Sequence, residues 1–169
     1  MAAGDNERNF RNVMAAKFGT SVLAGKKRYK DPIEKADSAE ISVDDSILLP
    51  DGRLVLIEVD SANMAKLIAG QYALLNGLYT GDFDKTLFLT IHYFANYEAS
   101  RTIKNLKFIQ GLAPSRKWLP YAAFHISDFG QMIEKASGIA DLIDSLWPKL
   151  AATAKKPSST AHIKIPALT

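Results

Sequence analysis

This sequence predicts an α/β fold with a mixed central sheet and flanking helices, and three observations carry that expectation. Two β-rich runs, Ile41 to Leu49 and Arg53 to Asp60, are joined by Pro50-Asp51-Gly52; an Asp-Gly pair between such runs marks a hairpin. Apolar residues recur at helical spacing before the hairpin and again after it. Beyond the hairpin, helix-like and strand-like segments alternate, an order that packs helices on a sheet.

Taken in order, Asn6 to Phe18 reads as a helix with Phe10, Val13, Met14 and Phe18 near one face. The segment Gly25 to Pro32, rich in Lys, Gly and Asp, reads as a loop. After the hairpin, Ser61 is placed to cap a helix running to about Tyr79, with Met64, Leu67, Ile68, Leu75 and Leu78 facing inward. Thr86 to Phe94 is a third strand, Arg101 to Gly111 a short helix and Tyr121 to Ser127 a fourth strand. A last helix runs from near Asp128 to about Trp147-Pro148. The expected order is α-β-β-α-β-α-β-α, without internal repeats. Residues 1–150 are expected to form one domain and 151–169 a loose polar tail.

The 169 residues suffice for a sizeable core, and 47% apolar with 23% charged residues is ordinary globular usage. No run approaches the roughly 20 apolar residues a membrane helix needs. The segment Met1 to Lys17 has no apolar signal core, so a cytoplasmic protein with no membrane partner is expected. The absence of cysteine excludes disulfides, thiolate zinc sites and cysteine nucleophiles. A net charge of +3 is compatible with a nucleic-acid partner, and the clustering of the charges matters more than their sum.

The hairpin carries the chemistry. A two-residue Asp51-Gly52 turn pairs Pro50 with Arg53 and puts Asp45 directly opposite Glu58, with Asp60 further along the same face. A register slip of one would instead bring Asp44 opposite Glu58. Carboxylates converging on an apolar face repel one another and resist ionisation. A hard divalent cation relieves both effects, and Mg²⁺ is commonly held by one or two carboxylates with water and phosphate oxygens. The alternative is a hairpin end that opens into water and carries surface acids.

With these residues the chain resembles the PD-(D/E)xK nucleases, the superfamily of many restriction enzymes and junction resolvases. Asp45 matches the Asp of the first hairpin strand, and Glu58-Val59-Asp60 matches the Glu-x-Lys of the second. Glu7 resembles an acid that several members carry on the first helix, and Gln71 a glutamine on the helix after the hairpin. The resemblance spans about Glu7 to Phe94. It implies a restriction-endonuclease-like core and a divalent-metal-dependent DNA endonuclease of restriction or recombination/repair type. Asp45, Glu58 and Asp60 would bind Mg²⁺ (or Mn²⁺). Asp60 stands at the Lys position and Asp44 where the Pro would be, while the literal Pro50-Asp51 lies in the turn. In some members an acid or amide replaces the Lys, and in others the Lys sits on the next helix, which makes Lys66 its candidate replacement. The alternative is a non-catalytic DNA- or protein-binding module with a degenerate nuclease fold. Cutting both strands would need a homodimer or a second subunit.

Two basic clusters are candidate DNA contacts: Lys26, Lys27, Arg28 and Lys30, and, on one helix, Arg101, Lys104 and Lys107 beside Phe108. Solvated surface is the other reading of both. Ser115-Arg116-Lys117-Trp118 is a weaker third cluster. His92, His125 and His162 lack partners at ligand spacing, and no serine-nucleophile elbow, Walker loop or dinucleotide fingerprint is present.

Overall fold

The structure, a computed structural model, describes residues 3–32 and 38–154, with side chains described over 4–32 and 38–147. The elements are α1 (Ala3–Phe18), β1 (Lys27–Lys30), β2 (Glu40–Val43), β3 (Asp45–Leu48), β4 (Leu54–Asp60), α2 (Ala65–Leu78), β5 (Thr86–His92), α3 (Ala99–Leu112), β6 (Tyr121–His125), α4 (Ile126–Lys135) and α5 (Ile139–Ala154). The main sheet runs β3-β4-β5-β6, antiparallel at β3/β4 and parallel thereafter. The expected α/β class with a mixed sheet between helices is what the chain forms. Among the described residues no helix is long and apolar enough to cross a membrane.

Strand alternation splits the core into two layers. Val55, Ile57 and Val59 of β4 join Leu87, Leu89 and Ile91 of β5 on the face covered by α1, α4 and α5, with Phe10, Met14, Phe129 and Leu146 at its centre. Leu56 and Phe88 point the other way, into Ile68, Tyr72 and Leu75 of α2 and Leu106 of α3. β4 and β5 are thus buried on both faces, which is why their sequences are nearly continuous apolar runs.

Several sequence expectations differ in detail. Gly25 to Pro32 contains β1, which pairs antiparallel with β2 as a separate two-stranded sheet. The run Ile41 to Leu49 is two strands broken at Asp44, one in each sheet. The last helix is two, because Ala136 leaves the helical conformation and Asp141 accepts hydrogen bonds from the Ser137 N–H and hydroxyl. On α2, Ile68 and Leu75 are buried as expected, but Met64 and Leu67 are exposed. Helix α2 also starts at Ala65, later than expected. Ser61 does not cap it; its Oγ accepts from Asn6 Nδ2 of α1 at 2.9 Å. The tail beyond residue 154 lies outside the described residues, whereas 151–154 continue α5.

The hairpin register is the consequential difference. Leu49 N donates to Arg53 O and Gly52 N to Leu49 O, so three residues, Pro50-Asp51-Gly52, form the loop. Gly52 takes φ +84°, the left-handed residue that closes such a loop. Asp45 consequently pairs with Ile57, one residue short of Glu58. A slip of one sends every side chain of the strand to the opposite face.

Gly52→Ala tests this turn. An added Cβ would meet only Lys85 Nζ, at 4.0 Å, so the cost is conformational. Urea denaturation should show a loss of about 1 kcal/mol, and an unchanged midpoint would contradict the left-handed turn.

Candidate active site

With the observed register, Asp45 and Glu58 lie on opposite faces of the sheet. Asp45 is 2% exposed, with Oδ1 hydrogen-bonded and Oδ2 met by charge alone. Its Oδ1 accepts from Gly25 N at 2.8 Å and Ser46 N at 2.9 Å, and Arg11 Nε lies 2.8 Å from Oδ2 in an ion pair. Arg11 also donates to the Asp44 carbonyl at 3.0 Å. Asp45 therefore fastens α1 and the Gly25 segment to β3, and no face of it opens toward Glu58.

Asp44 stands in the position expected of Asp45. Its N–H donates to Ile57 O at 3.0 Å, and its Oδ2 accepts from Val59 N at 2.9 Å. The side chain thus continues the ladder where the main chain turns off toward β2. This brings its charge beside Glu58. Glu58, 9% exposed, accepts a 2.6 Å hydrogen bond from Gln71 Nε2 of α2. Burial, reinforced by the Asp44 charge, pushes the Glu58 carboxyl up to about 8, against the opposing Gln71 hydrogen bond. Asp44 is also raised, mainly by burial, with the Val59 N–H working against it.

Glu7 and Lys26 complete the group. Lys26 Nζ lies 3.6 Å from Glu7 Oε2 and 3.7 Å from Asp44 Oδ1. Glu7 raises both Asp44 and Glu58, and Lys26 lowers both. The structure therefore gathers Glu7, Asp44, Glu58, Gln71 and Lys26. Among the described residues no three acidic or histidine side chains stand close enough to hold a metal ion by themselves. The donor set is a carboxylate pair with a half-exposed third acid. Beside it, Gln71 Oε1 is buried without a hydrogen-bond partner. Two carboxyl groups and the spare Gln71 amide oxygen are donors of the hard-oxygen kind that hold Mg²⁺.

The remaining candidates fall elsewhere. Asp60 shares the Glu58 face but is spent on structure. Its Oδ2 lies 2.8 Å from His92 Nδ1 and its Oδ1 accepts from Ala62 N. His92 Nε2 in turn lies 3.0 Å from Thr102 Oγ1 of α3, and the imidazole stacks on Tyr97. Lys66 is exposed on α2, five residues before Gln71, about 140° around the helix from it. In the first basic cluster, Arg28 and Lys30 pair with Glu40 at 3.8 and 3.3 Å, and Lys27 is half-buried. In the second, Lys104 and Lys107 are exposed beside Phe108, while Arg101 donates to Asn63 and lies over the Tyr97 ring. Two members of the group, Asp44 as a candidate ligand and Lys26 as its neighbour, were not singled out for the site by sequence. The only signal was the Pro-Asp-Gly turn, which is as compatible with a three-residue loop closed by a left-handed glycine as with a two-residue one.

Two outcomes follow. Asp45→Ala should cost about 2–4 kcal/mol in chemical denaturation, because it leaves Gly25 N–H and Arg11 without their buried acceptor; Asp44→Asn should cost much less. Glu58 titrates near 4.5 when unfolded and near 8 when folded, so the native state binds more protons between those values. In chelator, wild type should lose stability as pH rises through that window, and Glu58→Gln should flatten the loss. Parallel stability–pH curves for the two proteins would contradict the buried carboxyl.

No protein-family model, curated protein or solved structure matches this chain.

Proposed function

We propose that the protein has a restriction-endonuclease-like core and is a divalent-metal-dependent endonuclease hydrolysing DNA phosphodiester bonds, with Asp44 in the role expected of Asp45. One observation carries the reading. Asp44, at the break between β2 and β3, lies opposite Glu58 of β4, and burial raises both carboxyls. Nature rarely keeps such a pair without a cation or a proton between them.

Asp44 and Glu58 would hold Mg²⁺ or Mn²⁺, and the ion when bound would lower the pKa of a water and offset charge on the phosphate. Gln71 fixes one oxygen of Glu58, which leaves the other free to face the ion. In the hydrolysis a water oxygen bonds to phosphorus, one bridging P–O bond breaks, and the departing oxygen gains a proton. Glu7, half-exposed at the rim, takes the proton the attacking water gives up. Asp60 has no part in this, since its carboxylate is committed to His92 and Ala62.

The DNA side of the reading rests on α3, which packs beside α2 on the Glu58 side of the sheet. Its outer surface carries Lys104, Lys107 and Phe108, the last 68% exposed, with Arg101 a turn away. Cations with an interleaved aromatic suit a phosphate backbone read without sequence preference. One such site cuts one strand, so duplex cleavage would take a second copy.

Calorimetric titration with Mn²⁺ should show one binding event that Asp44→Asn and Glu58→Gln each abolish. Asp45→Asn, measured where it remains folded, should keep it. Plasmid nicking should follow the same division. Binding lost only in Asp45→Asn would return the role to Asp45. Metal-independent DNA retention by wild type, with no cleavage in Mg²⁺ or Mn²⁺, would favour a binding module.

A further inference from the structure

We propose that Lys26 is an internal counter-ion, holding the acid cluster together while no metal is bound and turning onto the substrate phosphate when the metal displaces it. This rests on the nuclease reading of the same site.

The ammonium lies 3.6 Å from Glu7 and 3.7 Å from Asp44. Both distances exceed a hydrogen-bond length, so Lys26 bridges the two acids by charge without being locked to either. Its side chain is 57% exposed. Its backbone is anchored: Asp45 Oδ1 accepts from Gly25 N, Gly25 O accepts from Ser46 Oγ, and Ala24 N donates to Ser46 O. A lysine is a point charge on a flexible four-carbon stem, suited to moving a charge between two nearby positions. The local charge makes displacement reasonable. One ammonium faces three carboxyl groups, and a divalent ion at Asp44 and Glu58 would bring that pair more positive charge than the ammonium supplies. An ion between Asp44 and Glu58 takes over the neutralisation of that pair, and the released ammonium remains within reach of a phosphate bound there. Lys26 so supplies the positive charge that the resemblance places on β4, where Asp60 stands instead. No bond to Lys26 forms or breaks; it contributes electrostatically to the charge that develops on the phosphoryl oxygens.

The test titrates Mn²⁺ into wild type and Lys26→Met, with Lys26→Gln as a second variant, and assays plasmid nicking by each. Removing a competing cation should tighten Mn²⁺ binding about three- to tenfold. Removing charge from the phosphate should slow nicking at least about tenfold at saturating metal. Tighter binding with slower nicking supports the proposal. Tighter binding with unchanged nicking overturns the transfer to the phosphate. Equal or weaker binding by both variants, with wild type still binding, overturns the counter-ion while the nuclease reading stands. If neither wild type nor variants bind Mn²⁺, both are overturned.

Discussion

The buried Asp45 carboxylate is the interaction on which the rest of this site depends. It collects Gly25, the Ser46 amide and Arg11, so one side chain joins the α1 helix, the incoming β1 segment and the edge strand β3. A buried anion is tolerable only when its charge is met, and here Arg11 meets it while two backbone amides, Gly25 and Ser46, bind the other oxygen. Because Asp45 holds Gly25 at one face, the next residue along, Lys26, comes to the acids at the other. Because Arg11 also reaches the Asp44 carbonyl, the same anchor orients the neighbouring aspartate. Asp45 thus belongs to the framework behind the acid cluster and is not one of its members.

Strand β4 turns this local order into a site. Its odd-numbered residues Val55, Ile57 and Val59 fill one core layer, and Leu56 fills the other. Glu58 and Asp60 continue the Leu56 face into a region where helices α2 and α3 supply polar partners instead of apolar ones. The two acids share a strand and a face, yet they meet different surroundings. Asp60 is hydrogen-bonded to a histidine that runs on to Thr102 and Tyr97, a network that ties the ends of β4 and β5 to α3. Glu58 receives one amide and the field of neighbouring anions, so it is the strained member of the pair.

Much of this was legible in the sequence. The helical spacing of Phe10 and Met14, the double-sided apolar runs of β4 and β5, and the Asp-Gly turn all led to the architecture observed. Glu7, Glu58 and Gln71 were identified by position and do gather in space. What failed was a single integer, the number of residues in the turn. Local sequence constrains it weakly, because Pro-Asp-Gly serves two- and three-residue loops alike, and the outcome depends on which face of β3 can be buried. The break at Asp44 was also hidden. Both halves of Ile41 to Leu49 have strand character, and only tertiary pairing assigns them to different sheets. Lys26 was visible as a cation, but its acidic partners come from residues 19 and 18 positions away in opposite directions along the chain.

The paired aspartates at the β2/β3 junction give the hairpin an evolutionary property. Loop length in a hairpin is among the features of a chain most easily altered by insertion or deletion. In most hairpins a one-residue change of register would remove a functional side chain from its face. Here, adjacent positions carry the same carboxylate, so a lineage that gained or lost one loop residue would exchange the two aspartates between the Arg11 anchor and the position opposite Glu58. A family descended from such a hairpin could drift in turn length while keeping an acid opposite the glutamate. Its motif would then appear shifted by one position in an alignment, although the carboxylates occupied the same place in space.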